Sequence, residues 1–308
     1  MKTSLGGVVG KKEIIILKLK KEKMLKKGIS SFFRYLLEKS IANNHDQLFL
    51  WFVNLRFLFL HKNLKISKTI VKNQKAFKAW DANLKMGRYF IIKNQGYLSY
   101  HNGFYNRAIN MGETSYLLEH ILFKPNDIIF DIGANLGDLT LYFDLKKIPI
   151  RYYGFEPGKY EFICLKKNVM NYQNHKIYNI ALGNKNAETP FYYKPFNGDS
   201  SIVKIDDYDE KYTVKIVKLD SFIKEKDLVD SKIKLIKLEA EGFEPEITEG
   251  LRKNLKNVEY ISADLGFERG VNQQTTAPKV INYLLKNGFK LLAFGESRST
   301  FLFKNQIF

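Results

Sequence analysis

The stretch FDIGANLGDLT, residues 130–140, carries an apolar run into a carboxylate, Asp131, and then into two glycines four apart, Gly133 and Gly137. Glycine reaches backbone angles closed to other residues. Gly133 therefore predicts a tight turn, and Gly137 a helix start that a ligand can approach without a Cβ in the way. A carboxylate repels a pyrophosphate, so Asp131 suits a ligand with a cationic or hydrogen-bond-donating group. The spacing G-x-N-x-G also departs from the G-x-G-x-x-G of dinucleotide sites. A second acid, Glu156, stands 19 residues past Gly137 at the end of another apolar run, RYYGFE. An acid there can accept hydrogen bonds from both hydroxyls of a ribose.

Positioning these groups needs strands that end together. IIFDI (128–132), RYYGFE (151–156), KIYNIAL (176–182), IKLIKLE (233–239) and VEYISADL (258–265) read as strands. Helices are predicted over 137–147, 159–171, 245–254 and 278–288. Repeated strand–helix units imply an α/β fold with a parallel sheet and helices on both faces, its ligand bound outside the carboxyl ends of the strands. FKLLAF (289–294) and STFLFK (299–304) lack room for a crossover helix and are expected to be antiparallel. Residues 88–106, aromatic with Asn94-Gln95-Gly96 and Asn102-Gly103, suggest a hairpin, and 113–123 a helix stopped by Pro125. Residues 183–230 are read as a polar insertion with a further hairpin.

The 308 residues include 45 % apolar side chains, enough for a sizeable core, and one cysteine, Cys164. That rules out an intramolecular disulfide and a multi-cysteine zinc site. Of 50 Lys+Arg and 32 Asp+Glu, residues 1–90 hold 20 and 5. Basic character thus belongs to the N-terminal third, and two parts with different jobs are expected: a basic, mostly helical extension over 1–87 and a larger domain over 88–308. Residues 1–45 read as a lysine-rich helix or a disordered arm. QLFLWFVNLRFLFLHK comes next, whose apolar core of 13 residues spans about 20 Å as a helix, too short for a bilayer. It is read either as the buried helix of a small subdomain or as an element lying on a membrane or docking a partner. The basic start lacks a sustained apolar stretch and a cleavage signal, so a cytoplasmic, membrane-peripheral location is expected.

FDIGANLGDLT, YGFEPGKYEFICLKKNV, NIALGN, KLDSFI and IKLIKLEAEGFEPEITEGL, in this order, resemble the successive motifs of the FkbM family of methyltransferases. The resemblance covers roughly residues 113–304. It implies a Rossmann-like, seven-stranded methyltransferase sheet and S-adenosylmethionine as cofactor. By that likeness Asp131, Gly133, Ala134, Asn135 and Gly137 line the methionine end of the cofactor. Glu156 holds the ribose with Pro157 shaping the turn, and Ala181 and Leu182 edge the adenine pocket. Two positions depart from the family's pattern: Glu239 replaces an aspartate in LEAEG, and Asp138 stands where an apolar or aromatic residue is common.

Methyl transfer to an oxygen needs a group that takes the acceptor's proton. Glu239 and Glu241 after the fourth strand and Asp264 on the fifth are the candidates, with no metal assigned. Glu241, just before Gly242, could instead cap the next helix. The resemblance implies a hydroxyl acceptor on a glycan or secondary metabolite. The lysines of the N-terminal region could meet a membrane, the favoured specific use, RNA, or an acidic glycan; the runner-up function is an RNA methyltransferase recruited by this basic arm, and RNA binding would require aromatic side chains exposed for stacking. A non-catalytic docking scaffold that keeps the fold is the alternative from another class. FNGDSSIVK (196–204) is read as a polar loop or a contact for a sugar-like acceptor.

Overall fold

The computed structural model describes residues 45–60, 63–194, 200–296 and 298–308. It divides the chain into two compact units, residues 1–62 and 63–308. The reading of 1–44 as helix or arm lies outside the described residues. In the first unit, helix α1 (Asp46–Leu60) buries Phe49, Val53 and Phe57, spaced four apart on one face. Leu48, Trp51, Leu58 and Phe59 are exposed. Among the described residues no helix is long and apolar enough to cross a membrane.

The second unit opens with an antiparallel sheet of β1 (Leu64–Val71), β2 (Gln74–Asp81) and β3 (Met86–Phe90). The expected division at residue 87 therefore falls inside β3. The hairpin expected over 88–106 is not formed. After β3 come two helices, α2 (Lys93–Tyr100) and α3 (Phe104–Ile109). Gly96, read as a turn residue, lies within α2, where a Cβ would meet the Phe90 ring at 2.1 Å. Its missing side chain serves packing rather than a turn. Arg88, 1 % exposed, ties the small sheet to the rest of the unit through Thr140 Oγ1 at 2.7 Å and the Asn168 carbonyl at 3.3 Å.

The helix expected over 113–123 is replaced by a wide π turn (Asn110–Ser115) and a short 3-10 turn (Leu118–His120). Between them Leu117 takes a positive φ of 58°, which ends the helical run.

The main sheet is built from β4 (Ile128–Ile132), β5 (Arg151–Phe155), β6 (His175–Tyr178), β10 (Ile233–Leu238), β11 (Val258–Asp264), β14 (Phe289–Phe294) and β15 (Thr300–Asn305). Their order is β14-β15-β11-β10-β4-β5-β6, seven strands. β4, β5, β6, β10 and β11 are parallel, and β15 runs antiparallel to both β11 and β14. Helices α4 (Leu139–Lys146), α5 (Lys159–Val169), α7 (Glu244–Gly250) and α8 (Ala277–Lys286) come after strands as expected. Central strands are buried on both faces, which is why they read as nearly continuous apolar runs. Alternation sends Phe130, Phe155, Ile236 and Ile261 into one core and Ile129, Tyr152, Leu235 and Tyr260 into the other.

The run 176–182 is not one strand. It ends β6 at Tyr178 and resumes as β7 (Ala181–Gly183), which joins a second small sheet with β8 (Ala187–Tyr193) and β9 (Glu210–Lys218). Asn179 marks the switch, its side-chain amide donating to the carbonyls of Glu156 and Pro157 at 2.8 and 3.1 Å. β8 and β9 form the expected antiparallel hairpin and lead to helix α6 (Leu219–Glu225). A two-stranded ribbon of β12 (Phe267–Arg269) and β13 (Gln274–Thr275) stands between β11 and α8.

Candidate functional site: a two-ended cleft at the carboxyl edge of the sheet

A cleft of about 390 Å³ opens where β4, β5, β10 and β11 end. The turn after β4 forms its floor. Gly133 has φ 74°, and a Cβ there would lie 1.8 Å from the Glu239 carbonyl oxygen, so only glycine lets the ends of β4 and β10 approach this closely. Asn135, at φ 48°, then curls its N–H onto Glu156 Oε2 at 2.7 Å, and Gly158 N–H reaches Oε1 at 2.7 Å. Each carboxylate oxygen of Glu156 thus takes one backbone donor and keeps lone-pair capacity for another. Burial, then the neighbouring Glu161, push the Glu156 carboxyl up to about 8. Gly133, Ala134, Asn135, Glu156, Pro157, Ala181 and Leu182 all line the cleft.

Asp131 and Gly137 do not. In the pleat of β4, Asp131 shares a face with Ile129, turned into the second core and 1 % exposed. The register sets it opposite Lys237 of β10, whose Nζ lies 3.1 Å from Oδ1, and Tyr152 donates to Oδ2 at 2.7 Å. Its charge is met inside the protein and is not offered to a ligand. A Cβ at Gly137 would meet Leu165 Cδ1 at 2.6 Å, so this glycine serves the packing of α5 rather than the approach of a ligand.

At the other end the carboxylates form a chain of ion pairs. Lys237, 2 % exposed, lies 3.3 Å from Glu239 Oε2 and donates to the Gly133 carbonyl at 2.6 Å. Glu239 also accepts from the Tyr116 hydroxyl and pairs with Arg298 at 2.5 Å, and Arg298 bridges on to Asp264. Burial opposes ionisation of Glu239, but Lys237 and Arg298 overcome it and hold the carboxyl down at about 2. A carboxylate so clamped is a weak proton acceptor. Asp264 lies behind Arg298, buried and outside the cleft lining. Arg298 occupies the space between these two acids. Among the described residues no cluster of three or more His, Cys, Asp or Glu is placed to hold a metal.

Glu241 lines the cleft at a positive φ of 47°. The capping role open to it belongs to Glu244, whose Oε1 accepts from Ala240 N–H and Gly242 N–H at 2.8 and 3.1 Å. Glu268, on β12, also lines the cleft, and no motif in the sequence pointed to it. Burial first, then the charges of Asp264, Glu239 and Glu244, push its carboxyl up to about 8. Cys164 is buried in α5, outside the cleft, its thiol pushed up to about 12 by burial.

A cap closes the cleft over the β4 turn. Asp138, 3 % exposed, accepts from the Tyr100 hydroxyl and from Arg107 Nε, both at 2.8 Å, and Gln95 donates to Asn135 Oδ1 at 3.0 Å. This explains an acid where the family pattern is apolar: it anchors α2 and α3. Ser200, from the polar loop, also faces the cleft.

The missed residues left little local trace. Lys237 had one, as one of two lysines, with Lys234, inside an otherwise apolar strand. Tyr116, Glu268 and Arg298 come from an irregular turn, a short ribbon past a strand end, and the bend between β14 and β15.

The lining holds six carboxylates, Asp138, Glu156, Glu161, Glu239, Glu241 and Glu268, against the cations Arg107, Lys237 and Arg298. Acids in this excess, once ionised, suit a cationic ligand, and Glu156 with its open lone pairs suits a pair of ribose hydroxyls. The residues therefore fit S-adenosylmethionine, whose ribose Glu156 could hold.

The family profile described as Methyltransferase FkbM domain matches residues 131–291. Among curated proteins, the 31-O-demethyl-FK506 methyltransferase FkbM of Streptomyces tacrolimicus is 28 % identical over 83 residues. That match covers 23 % of this chain and 32 % of the relative, so the chain spans about a third of the length of that protein. Solved structures of similar outline include a precorrin-6y C5,15-methyltransferase from Geobacter metallireducens GS-15, at TM-score 0.36 and 10 % identity over 61 % of this chain and 84 % of that one. A putative tRNA (m1A22) methyltransferase of Streptococcus pneumoniae has TM-score 0.37 and 15 % identity over 61 % and 68 %. The family match starts at Asp131, runs into β14 and takes in more than half of the chain: the protein belongs to the FkbM family of methyltransferases, and its cofactor is S-adenosylmethionine.

Proposed function

We propose that the protein methylates a hydroxyl oxygen on a glycan or secondary metabolite, with Glu268 as the group that takes the acceptor's proton. The observation that carries this reading is the place of Glu268: it lines the cleft at the end away from Glu156, outside the ion pairs that clamp Glu239, with its carboxyl raised by burial and by Asp264, Glu239 and Glu244. β11 and β5 are three strand spacings apart in the sheet, about 14 Å. A group near 8 is matched to proton transfer around neutral pH, where the clamped Glu239 is not. When bound, S-adenosylmethionine supplies a methyl group activated by its sulfonium. The chain's own tasks are then to hold the ribose with Glu156, to orient the acceptor near Glu268 and to exclude water beneath α2 and α3. Glu268, once ionised, would take the proton of the acceptor hydroxyl. The name of the Streptomyces relative, an O-demethyl substrate methyltransferase, supports oxygen as the acceptor atom.

The test uses cofactor labelled in its methyl group and a panel of sugar and polyketide alcohols. Label in a base-stable ether, lost in Glu268→Gln, is the expected result. Label that enters only amines or RNA overturns the reading.

A further inference from the structure

The sheet β1–β3 has a face that the methylation cleft does not use. Cross-strand register pairs Lys65 with Trp80, Ser67 with Lys78, and Lys78 with Tyr89, so these five side chains share one side. Lys78 Nζ lies 4.7 Å from the centre of the Trp80 ring and 5.5 Å from that of Tyr89. Lys167, from α5, adds a cation 5.6 Å from Tyr89. The result is a row of alternating cations and rings, Lys167, Tyr89, Lys78 and Trp80, with Lys65 beside its end. Trp80 is 38 % exposed and Lys65 is exposed. The nearest acid of the sheet, Asp81, points to the other side and accepts the N–H groups of Asn83 and Leu84 at 2.9 and 3.1 Å.

We propose that this face binds an acidic polysaccharide chain, its carboxylates meeting Lys65, Lys78 and Lys167 and its sugar rings lying along Trp80. The charge of the face selects a polyanion. The placement of the lysines selects among polyanions. Single-stranded RNA gains affinity by stacking bases on open aromatic faces. Here Lys78 and Lys167 both stand against Tyr89, which leaves Trp80, 38 % exposed, as the one open ring of the row, too few for successive bases to stack. A chain of pyranose rings needs only one partly exposed indole with cations beside it. The face is also wired to the cofactor turn. Tyr89 N–H donates to Asn168 Oδ1 at 2.7 Å, and Asn168 Nδ2 donates to the carbonyls of Tyr89 and Leu136 at 3.1 and 2.9 Å. Leu136 lines the cleft, so a bound chain would be held one hydrogen-bonded layer away from it. Binding at this face stands apart from the choice of acceptor atom and is read without turnover.

The test is titration of the full chain with oligogalacturonate and, separately, with poly(U) of equal charge. Affinity for S-adenosylhomocysteine serves as the check on folding. The triple variant Lys65→Gln, Lys78→Gln, Lys167→Gln is expected to lose about tenfold in uronate affinity and to keep its nucleoside affinity. Trp80→Ala is expected to weaken uronate binding while sparing poly(U). Lys65→Glu, at an exposed position, decides the matter if the triple variant does not fold. The proposal is overturned if the wild-type chain ignores oligogalacturonate, if it binds poly(U) more tightly, or if the lysine variants bind uronate as the wild type does. The last result would assign polyanion binding to the basic residues 1–44.

Discussion

The two ends of the cleft hold acids by opposite means. At the β4–β5 end, Glu156 is satisfied by two backbone N–H groups, has no ion pair among the described residues, and its carboxyl is pushed up to about 8. At the β10–β11 end, Glu239 is met by Lys237, Arg298 and Tyr116 and held down at about 2. Backbone donors satisfy hydrogen bonds without supplying full charge, so burial wins at the first end. Two cations at contact distance defeat burial at the second. An end that must accept hydroxyls and a positive ligand is better left uncompensated. An end that must fix the shape of an acceptor site is better locked. Glu268, beside the locked network but outside its ion pairs, has a raised carboxyl, which is what the proposed proton acceptor requires.

The sharpest way to break this contrast is Glu268→Gln. Removing a proton acceptor costs about 10²–10⁴ in kcat, while calorimetric affinity for S-adenosylhomocysteine should not move. In the wild type, kcat should rise with pH through about 8 as Glu268 ionises, and the variant should lose that rise. An unchanged profile would remove Glu268 from the chemistry.

Next in size is Lys237→Met. It leaves Asp131, 1 % exposed, and Glu239 without their shared cation. Breaking one side of a buried pair costs about 3–5 kcal/mol, to be read as a lower urea midpoint at pH 7. If the loss is instead no larger than for an exposed ion pair, the network does not lock this end.

Glu156→Gln probes the other end. An amide offers its NH₂ to at least one of the N–H donors of Asn135 and Gly158, and it loses the charge that the ribose hydroxyls would meet. Hydrogen bonds to a charged group contribute about 1.5–3 kcal/mol, so affinity for S-adenosylhomocysteine should fall about 10–100-fold. In the wild type that affinity should tighten as pH rises through about 8, where Glu156 ionises. Glu156 and Glu268 ionise in the same range, so a single activity profile mixes them. Binding without turnover isolates Glu156, and turnover at saturating cofactor isolates Glu268.

Legibility in the sequence divides along the same line. The β4 turn and Glu156 could be read because they depend on neighbours in the chain: Gly133 and Asn135 adopt positive φ locally, and Glu156 meets Asn135 across one βαβ unit. Strand limits were legible for the same reason, with IIFDI matching β4 residue for residue. The direction of Asp131 was not, although period-2 alternation from Ile129 pointed it into the second core. The locked end joins residues 116, 131, 237, 239, 264 and 298, and only the fold brings these together. The small sheet of β1–β3 lies in a stretch expected to be mostly helical; lysines alternating with apolar residues are the period-2 signal of a half-buried strand, and the number of lysines masked their period. The hairpin expected at 88–106 failed because Gly96 answers to the Phe90 ring and not to its own turn.

The slope of stability with pH tests the contrast by its sign. A carboxyl raised by folding favours the protonated native state. The cost of burying Glu156 is therefore absent below the unfolded value near 4.5 and grows as pH rises to about 8. A carboxyl lowered by folding does the reverse: the contribution of Glu239 is full above about 4.5 and is lost as pH falls toward 2. Each group changes the folding constant by no more than about tenfold per pH unit, because one proton is involved. Urea unfolding of the wild type, Glu156→Gln and Glu239→Gln between pH 3 and 9 separates them. Relative to the wild type, Glu156→Gln should gain stability across pH 5–8, and Glu239→Gln should regain it only below about 4.5. Parallel curves for the two variants would mean that the two ends hold their acids alike, and the assignment of one to ligand and the other to architecture would fall.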